Sequence, residues 1–173
     1  KVLLAPPRPE LAELVKPDHL KRTFDILWNS YDYIVVDLWK SFRESTIFFL
    51  DIADTILLVS TTDIPSIKNA KLFFELTEKL GYPESKTVFV LNKQDGRSGI
   101  NPKDIEASIK HPISGTIPKD ERTTSVSINR GMPFVTAQKN LPISQALMAL
   151  ARKLVRTEVR EPMPAKPAQA GRK

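Results

Sequence analysis

Cysteine is absent from all 173 residues, which excludes disulfides, thiolate metal sites and a cysteine nucleophile, and fits a reducing compartment. Histidine is nearly absent: His19 and His111 are the only two. Neither has a sequence partner suggesting a catalytic triad or a metal pair, and both read as surface residues. Long apolar runs are missing too. Ile47-Phe48-Phe49-Leu50 and Ile56-Leu57-Leu58-Val59 fall far short of the roughly 20 residues needed to cross a bilayer, so no membrane span is expected. Glycine is scarce, and none of the six stands in a G-x-x-x-x-G-K-[ST] arrangement. Without such a loop's backbone N–H groups and lysine there is no evident cradle for polyphosphate, and catalysis by these residues alone is not expected.

What is present is an ordinary globular composition, 41% hydrophobic and 27% charged, with enough length for one sizeable core plus tails. The chain opens directly in the apolar Val2-Leu3-Leu4-Ala5, with no basic region followed by a long apolar one, so this is no signal peptide. It reads as the start of a strand, and the expectation is a piece of a longer protein. Of the net charge of +6, most lies at the end: from Arg152 onward there are seven basic residues against Glu158 and Glu161. The body is close to neutral and has no basic face legible in sequence.

Tyr33 to Asp37, Thr55 to Ser60 and Thr87 to Asn92 are short apolar runs, rich in β-branched residues, without polar alternation. Strands covered on both faces read this way. Between them lie helical patterns: Pro65 to Leu80, with Ile67, Ala70, Phe73, Phe74 and Leu80 on one stripe and Gly81 as the stop; Pro17 to Asn29, with Leu20, Phe24, Leu27 and Trp28 inward; and Glu44 to Ile52. Gly115 to Pro118 suits an edge strand. Pro142 to Arg156 suits a last helix facing the core with Ile143, Leu147, Leu150, Leu154 and Val155. The alternation predicts right-handed crossovers in a mostly parallel, doubly wound sheet with helices on both faces, a three-layer αβα domain over residues 1–156. Residues 157–173, with three prolines and several alanines and basic groups, read as a disordered tail.

Ligands in such sheets bind outside the carboxyl ends of the strands, so the residues ending each run are the candidates. They are Asp37, then Ser60 with Thr61-Thr62-Asp63, and Asn92 with Lys93-Gln94-Asp95. An aspartate directly after a buried strand can hold Mg²⁺ through a water or position an attacking water; it can equally cap the next turn. Asn92-Lys93-Gln94-Asp95 fits N-K-x-D, which resembles the base-reading loop of GTPases, where a carboxylate accepts from guanine N1–H and the exocyclic amine. A lone asparagine there pairs with adenine instead. A plain polar turn toward Gly96 and Gly99 is the third reading.

Taken in order, these segments resemble the MinD/ParA group of deviant P-loop ATPases, most closely its CpaE/TadZ branch, tied to Flp/Tad pilus assembly and polar localisation. The residues that carry the resemblance are Val2 to Glu10, Tyr31 to Asp37, Ala53 to Ser60, Asp63 to Ala70, Val88 to Asn92, Ile117-Pro118-Lys119-Asp120 and Ile128 to Pro133. It spans about Val2 to Val155 and implies a P-loop NTPase-like fold, incomplete at its start. It also implies a cytoplasmic protein, polar or membrane-associated, that uses ATP and Mg as a homodimer or with pilus or secretion assembly proteins. Asp37 matches the switch aspartate near Mg²⁺ and γ-phosphate, Asn92 the adenine-contacting asparagine, and Pro118 the loop flanking the base. The family's phosphate loop would lie upstream of Lys1. The Pro- and Gly-containing turn expected after the aspartate is here Leu38-Trp39-Lys40-Ser41, a less permissive backbone. Two further readings stand beside this one: a non-catalytic scaffold or interaction module whose basic tail meets an acidic partner, nucleic acid or anionic membrane, and a GTPase using Asn92, Lys93 and Asp95.

Overall fold

The computed structural model describes residues 1–8, 10–11, 14–38, 44–96 and 99–155. The chain divides into two compact units, Lys1–Ile56 and Leu57–Lys173. Trp39, Lys40 and Ser41 lie outside the described residues, as does the tail read as disordered.

In the first unit, α1 (Pro17–Trp28) begins at a proline, whose missing N–H costs nothing in a first turn. The Nδ1 of exposed His19 accepts the Lys16 amide hydrogen at 3.3 Å and closes that end. Leu20, Phe24, Leu27 and Trp28 are all half-buried, the inward stripe that their spacing predicts. Phe24 meets Phe49 of α2 (Glu44–Ile52) edge-on, with ring centroids 6.3 Å apart, and Leu50 is buried. The expected strand at Tyr33–Asp37 does not form. The segment carries no ladder hydrogen bonds, and Val35 is 94% exposed. An apolar β-branched run makes a buried strand only when neighbours pair with it on both sides, and no described segment does so.

The second unit holds a sheet in the order β1 (Ile56–Thr61), β2 (Thr87–Gln94), β3 (Gly115–Pro118), with β2 and β3 parallel. Side chains of β2 alternate between two cores. Phe89 and Leu91 pack with Ala70 of α3 (Ile64–Lys79) and with Ile105 and Ile109 of α4 (Pro102–Ile109). Val90, on the opposite face, packs with Ile117 of β3 and Ile143 of α7 (Pro142–Leu154), backed by Phe134 of the short α6 (Phe134–Ala137). Helices therefore cover both faces of β2, giving three layers. Between β3 and α6 runs α5 (Glu121–Arg130).

Three burial expectations fail here. β1 reads as covered on both faces, yet Leu57 and Val59 are 42% and 49% exposed while Ile56 and Ser60 are buried, because only one face of β1 is covered among the described residues. Leu80 and Val155 stand at the C-caps of α3 and α7, past the stripe that faces the core, and both are exposed. His111 is buried, not on the surface. Its ring stacks on Phe74 at 4.2 Å, so the imidazole serves as an aromatic plate under α3. No helix among the described residues is long and apolar enough to cross a membrane.

Candidate functional site

Three strands of the second unit end side by side, and their C-terminal residues make up the candidate site. At the end of β1, Asp63 turns back onto α3. Its Oδ1 accepts the Ser66 amide hydrogen at 2.9 Å, its Oδ2 accepts from the Thr61 hydroxyl, and Thr61 Oγ1 also bonds Ser66 Oγ at 2.8 Å. The Thr61 hydroxyl, then the Ser66 amide, hold the Asp63 carboxyl below its ordinary value. This has a chemical consequence. A helix N-terminus ordinarily draws an anion, but a side-chain carboxylate already occupies that of α3. Phosphate would meet a like charge there.

The end of β2 is irregular. Val90 pairs with Gly115 and Leu91 with Thr116, but the next pairing joins Gln94 to Pro118. Two residues, Asn92 and Lys93, thus stand opposite the single Ile117, a β-bulge of the kind that re-aims side chains beside functional sites. Lys93 adopts φ 55°, in the left-handed region. The Oδ1 of half-buried Asn92 accepts the Lys93 amide hydrogen at 2.9 Å. Past the bulge the ladder resumes, and the Lys119 amide donates to the Gln94 carbonyl at 3.0 Å. The strand therefore continues through the residues that could equally be read as a polar turn, and Asp95 follows it, exposed.

At the end of β3, Pro118 is the last residue of the strand, paired with Gln94. Asp120 caps α5, its Oδ1 accepting the Thr123 amide hydrogen at 2.9 Å. Bonds from the Thr123 side chain and amide, with Arg122 nearby, lower its pKa. Lys119 pairs with Glu121 Oε1 at 3.1 Å across the rim.

Asn92, Pro118 and Asp120 thus belong to one sheet edge. Asp37 belongs to the first unit, exposed at the end of its extended segment. Lys119 and Asp120 join the site only in the structure, although Asp120 signals itself in sequence as an aspartate just ahead of a helical stretch. The described residues contain no group of three or more His, Asp or Glu placed to hold a metal ion. What the edge offers is a carboxamide, with donor and acceptor side by side, next to a rigid proline wall. That set suits the N6 and N7 positions of adenine.

The best-formed cavities lie elsewhere. One of about 110 Å³ sits between Val90, Gly115, Ile117, Ala146 and Leu150, and the other is an open apolar groove along Ile128, Met132, Phe134 and Leu147. The first is also lined by Ser114, Thr116 and Lys153, but the Lys153 ammonium is already held by the Ser114 carbonyl, and the second has Ser127 alone as a polar side chain; the strand ends are the candidate because ligands of such sheets bind there.

No family model matches the sequence. Among proteins of known sequence, the chain is 33% identical over 124 residues to an uncharacterized ATP-binding protein of Methanocaldococcus jannaschii, covering 71% of this chain and 46% of that one. It is 24% identical over 140 residues to a second such protein of the same organism, covering 81% and 52%. With the septum site-determining protein MinD of Thermotoga maritima it shares 26% over 152 residues, covering 82% and 54%. The chain spans about half the length of these relatives.

Among solved structures, it superposes on a ParA family ATPase from Chlorobium tepidum with a TM-score of 0.78 and 26% identity, covering 85% of this chain and 61% of that one. The MinC:MinD cell division complex of Aquifex aeolicus gives 0.72 and 24%, covering 88% and 64%. MinD of Pyrococcus horikoshii, solved with Mg-ADP, gives 0.71 and 19%, covering 86% and 60%. The last two bear on fold alone. The fold is the three-layer α/β arrangement with a parallel sheet found in ParA and MinD, and the chain's relatives include ATP-binding proteins and a MinD.

Proposed function

We propose that this chain is the later portion of a MinD/ParA-type ATPase and supplies the base side of its nucleotide site. The observation that carries the reading is the placement of Asn92 in the bulge near the end of the central strand, with Pro118 on β3 paired to Gln94 two residues on. Asn92 reads the adenine edge, and Pro118 walls the base. Asp37, in the place of the family's switch aspartate, would be the residue to hold Mg²⁺, through a water. ATP and Mg would supply the transferable phosphoryl group and its charge compensation when bound. The residues present fit that division: a carboxamide and a proline suit a base, whereas Asp63 already fills the α3 N-terminus.

The wider reading places the parent protein in the cytoplasm, in assembly or cellular positioning of a pilus or secretion system, as a CpaE/TadZ-like homodimer that meets the pole or the membrane. The order of motifs from Val2 to Pro133 supports it. A second reading, an ATPase-like scaffold that holds partners without turnover, draws on the sequence Leu38-Trp39-Lys40-Ser41 after Asp37, which has neither proline nor glycine. The basic tail, contacting nucleic acid, anionic membrane or an acidic protein, belongs to that reading.

The test is titration of the ¹⁵N-labelled chain with adenosine, ADP and their guanine counterparts, followed by NMR. The adenine reading expects shifts concentrated at Asn92, Pro118 neighbours and Lys119 with adenine ligands, and their loss in Asn92→Ala. A stronger response to guanine ligands, lost in Asp95→Ala, would establish the GTPase alternative instead. No response to any base would favour the scaffold.

A further inference from the structure

Among the described residues two lysines adopt the left-handed backbone region, Lys93 with φ 55° and Lys110 with φ 61°. An L-residue with a Cβ rarely stays there without cause. Lys110 has an evident one: it is the C-cap of α4, and its amide donates to the Glu106 carbonyl at 2.7 Å, closing the helix. Lys93 ends no helix. It sits within β2, where an extended residue would have kept the ladder regular.

The surroundings show what the distortion achieves. The pairings on either side, Leu91 with Thr116 and Gln94 with Pro118, pin the bulge between them, so the local geometry is held from both directions. Within it the Lys93 amide is turned onto the Asn92 carboxamide, to which it donates at 2.9 Å. A carboxamide oxygen carries two acceptor sites, so this bond fixes the plane of the Asn92 side chain while leaving its Oδ1 able to accept again. The lysine side chain itself is exposed.

We propose that Lys93 is a positioning residue, whose left-handed backbone, and not whose amine, sets the Asn92 carboxamide in the orientation that reads an adenine base. The inference rests on the adenine reading above and adds to it the element that preorganises the contact. It also gives N-K-x-D a different meaning here: the lysine is a backbone hinge beneath the asparagine.

The experiment compares Lys93→Gly and Lys93→Asn, which tolerate the left-handed region, with Lys93→Val, whose branched Cβ does not. Each full chain is titrated with adenosine while the Asn92 Nδ2 resonances are followed, and its thermal midpoint is recorded. Expected are an adenosine affinity within about twofold of wild type for the Gly and Asn variants and a loss of about tenfold or more for Val, the size of a misplaced hydrogen-bonded pair. Should Lys93→Val fail to fold, Lys93→Ala takes its place, with the same rank order expected. Equal loss in the Gly and Val variants would overturn the proposal by showing that the amine is needed, and retention in Val would show that the backbone is irrelevant.

If wild type ignores adenosine, the adenine reading fails by itself, and the ligand-free spectra then decide about Lys93. Displaced Asn92 Nδ2 signals in Val but not in Gly or Asn would support its positioning role. Unmoved signals in all three would end it.

Discussion

The imidazole of His111 lies on the ring of Phe74, centroids 4.2 Å apart and planes 22° from parallel, while its Nδ1 approaches the Pro112 carbonyl oxygen at 3.1 Å. That contact puts the proton on Nδ1, since a carbonyl only accepts. Nε2 is then a buried acceptor with no partner among the described residues. A fully desolvated, unpaired acceptor costs about 1–3 kcal/mol. The stacking, not the polarity, is therefore what the position requires. His111→Phe keeps a stacked ring but adds volume and loses the Pro112 contact, so it is expected to cost less than removing the ring altogether. His111→Ala, which empties the space under Phe74, is expected to lose at least about 2 kcal/mol. Urea midpoints at constant slope measure both, and an equal loss in the two would refute the stacking account.

Ser144 is a second buried polar side chain, fully enclosed on the first turn of α7, whose Oγ has no partner among the described residues. Ser144→Ala removes the unsatisfied hydroxyl and leaves no large void. It also improves helix propensity. A gain of about 1 kcal/mol in unfolding free energy is expected, and a loss of similar size would mean that the hydroxyl is satisfied in solution.

Asp120 caps α5 beside the candidate base wall, and bonds from Thr123, with Arg122 nearby, lower its pKa. A carboxyl whose folded value is depressed stabilises the fold fully above its unfolded value of about 3.9, and that contribution drains away as pH falls through the folded value. Asp120→Asn keeps a capping oxygen but not the charge. Wild type is expected to melt higher than the variant at neutral pH, with the gap closing below about pH 4. Circular dichroism melts from pH 7 downward would show it, and a gap independent of pH would remove the charge from the explanation.

How much of this was legible in the sequence differs from one element to the next. Runs such as Thr87–Asn92 and the stripe through Ala70 and Phe73 announce themselves because burial on both faces, or on one, dictates composition directly. Their strand and helix form within a residue or two of expectation, β2 running further to Gln94. Tyr33–Asp37 has the same composition and forms no strand, because pairing depends on a neighbour that local composition does not specify. The burial of His111 is not legible in sequence because its ring partner Phe74 is far away along the chain. Asn92 and Pro118 were visible as strand ends. The bulge that joins them was not, since nothing about a lysine signals a left-handed backbone.

Choice of base is the sharpest remaining question for the site, and Asn92 and Asp95 divide it. An asparagine carboxamide matches adenine by accepting from N6 and donating to N7, whereas guanine needs a carboxylate to accept two N–H groups. Asn92 is half-buried and its oxygen is already oriented by the Lys93 amide. Asp95 lies beyond the last ladder residue, Gln94, and is exposed. A contact made by an exposed side chain competes with water and gains little. Asn92→Ala is therefore expected to weaken an adenine nucleotide by about tenfold, two modest hydrogen bonds' worth. Asp95→Ala is expected to change neither adenine affinity nor base preference by more than about twofold. Competition of ADP against GDP, read on the same backbone amides for wild type and both variants, separates the cases. A switch of preference in Asp95→Ala, with Asn92→Ala silent, would assign base reading to the carboxylate and reverse the reading of this edge.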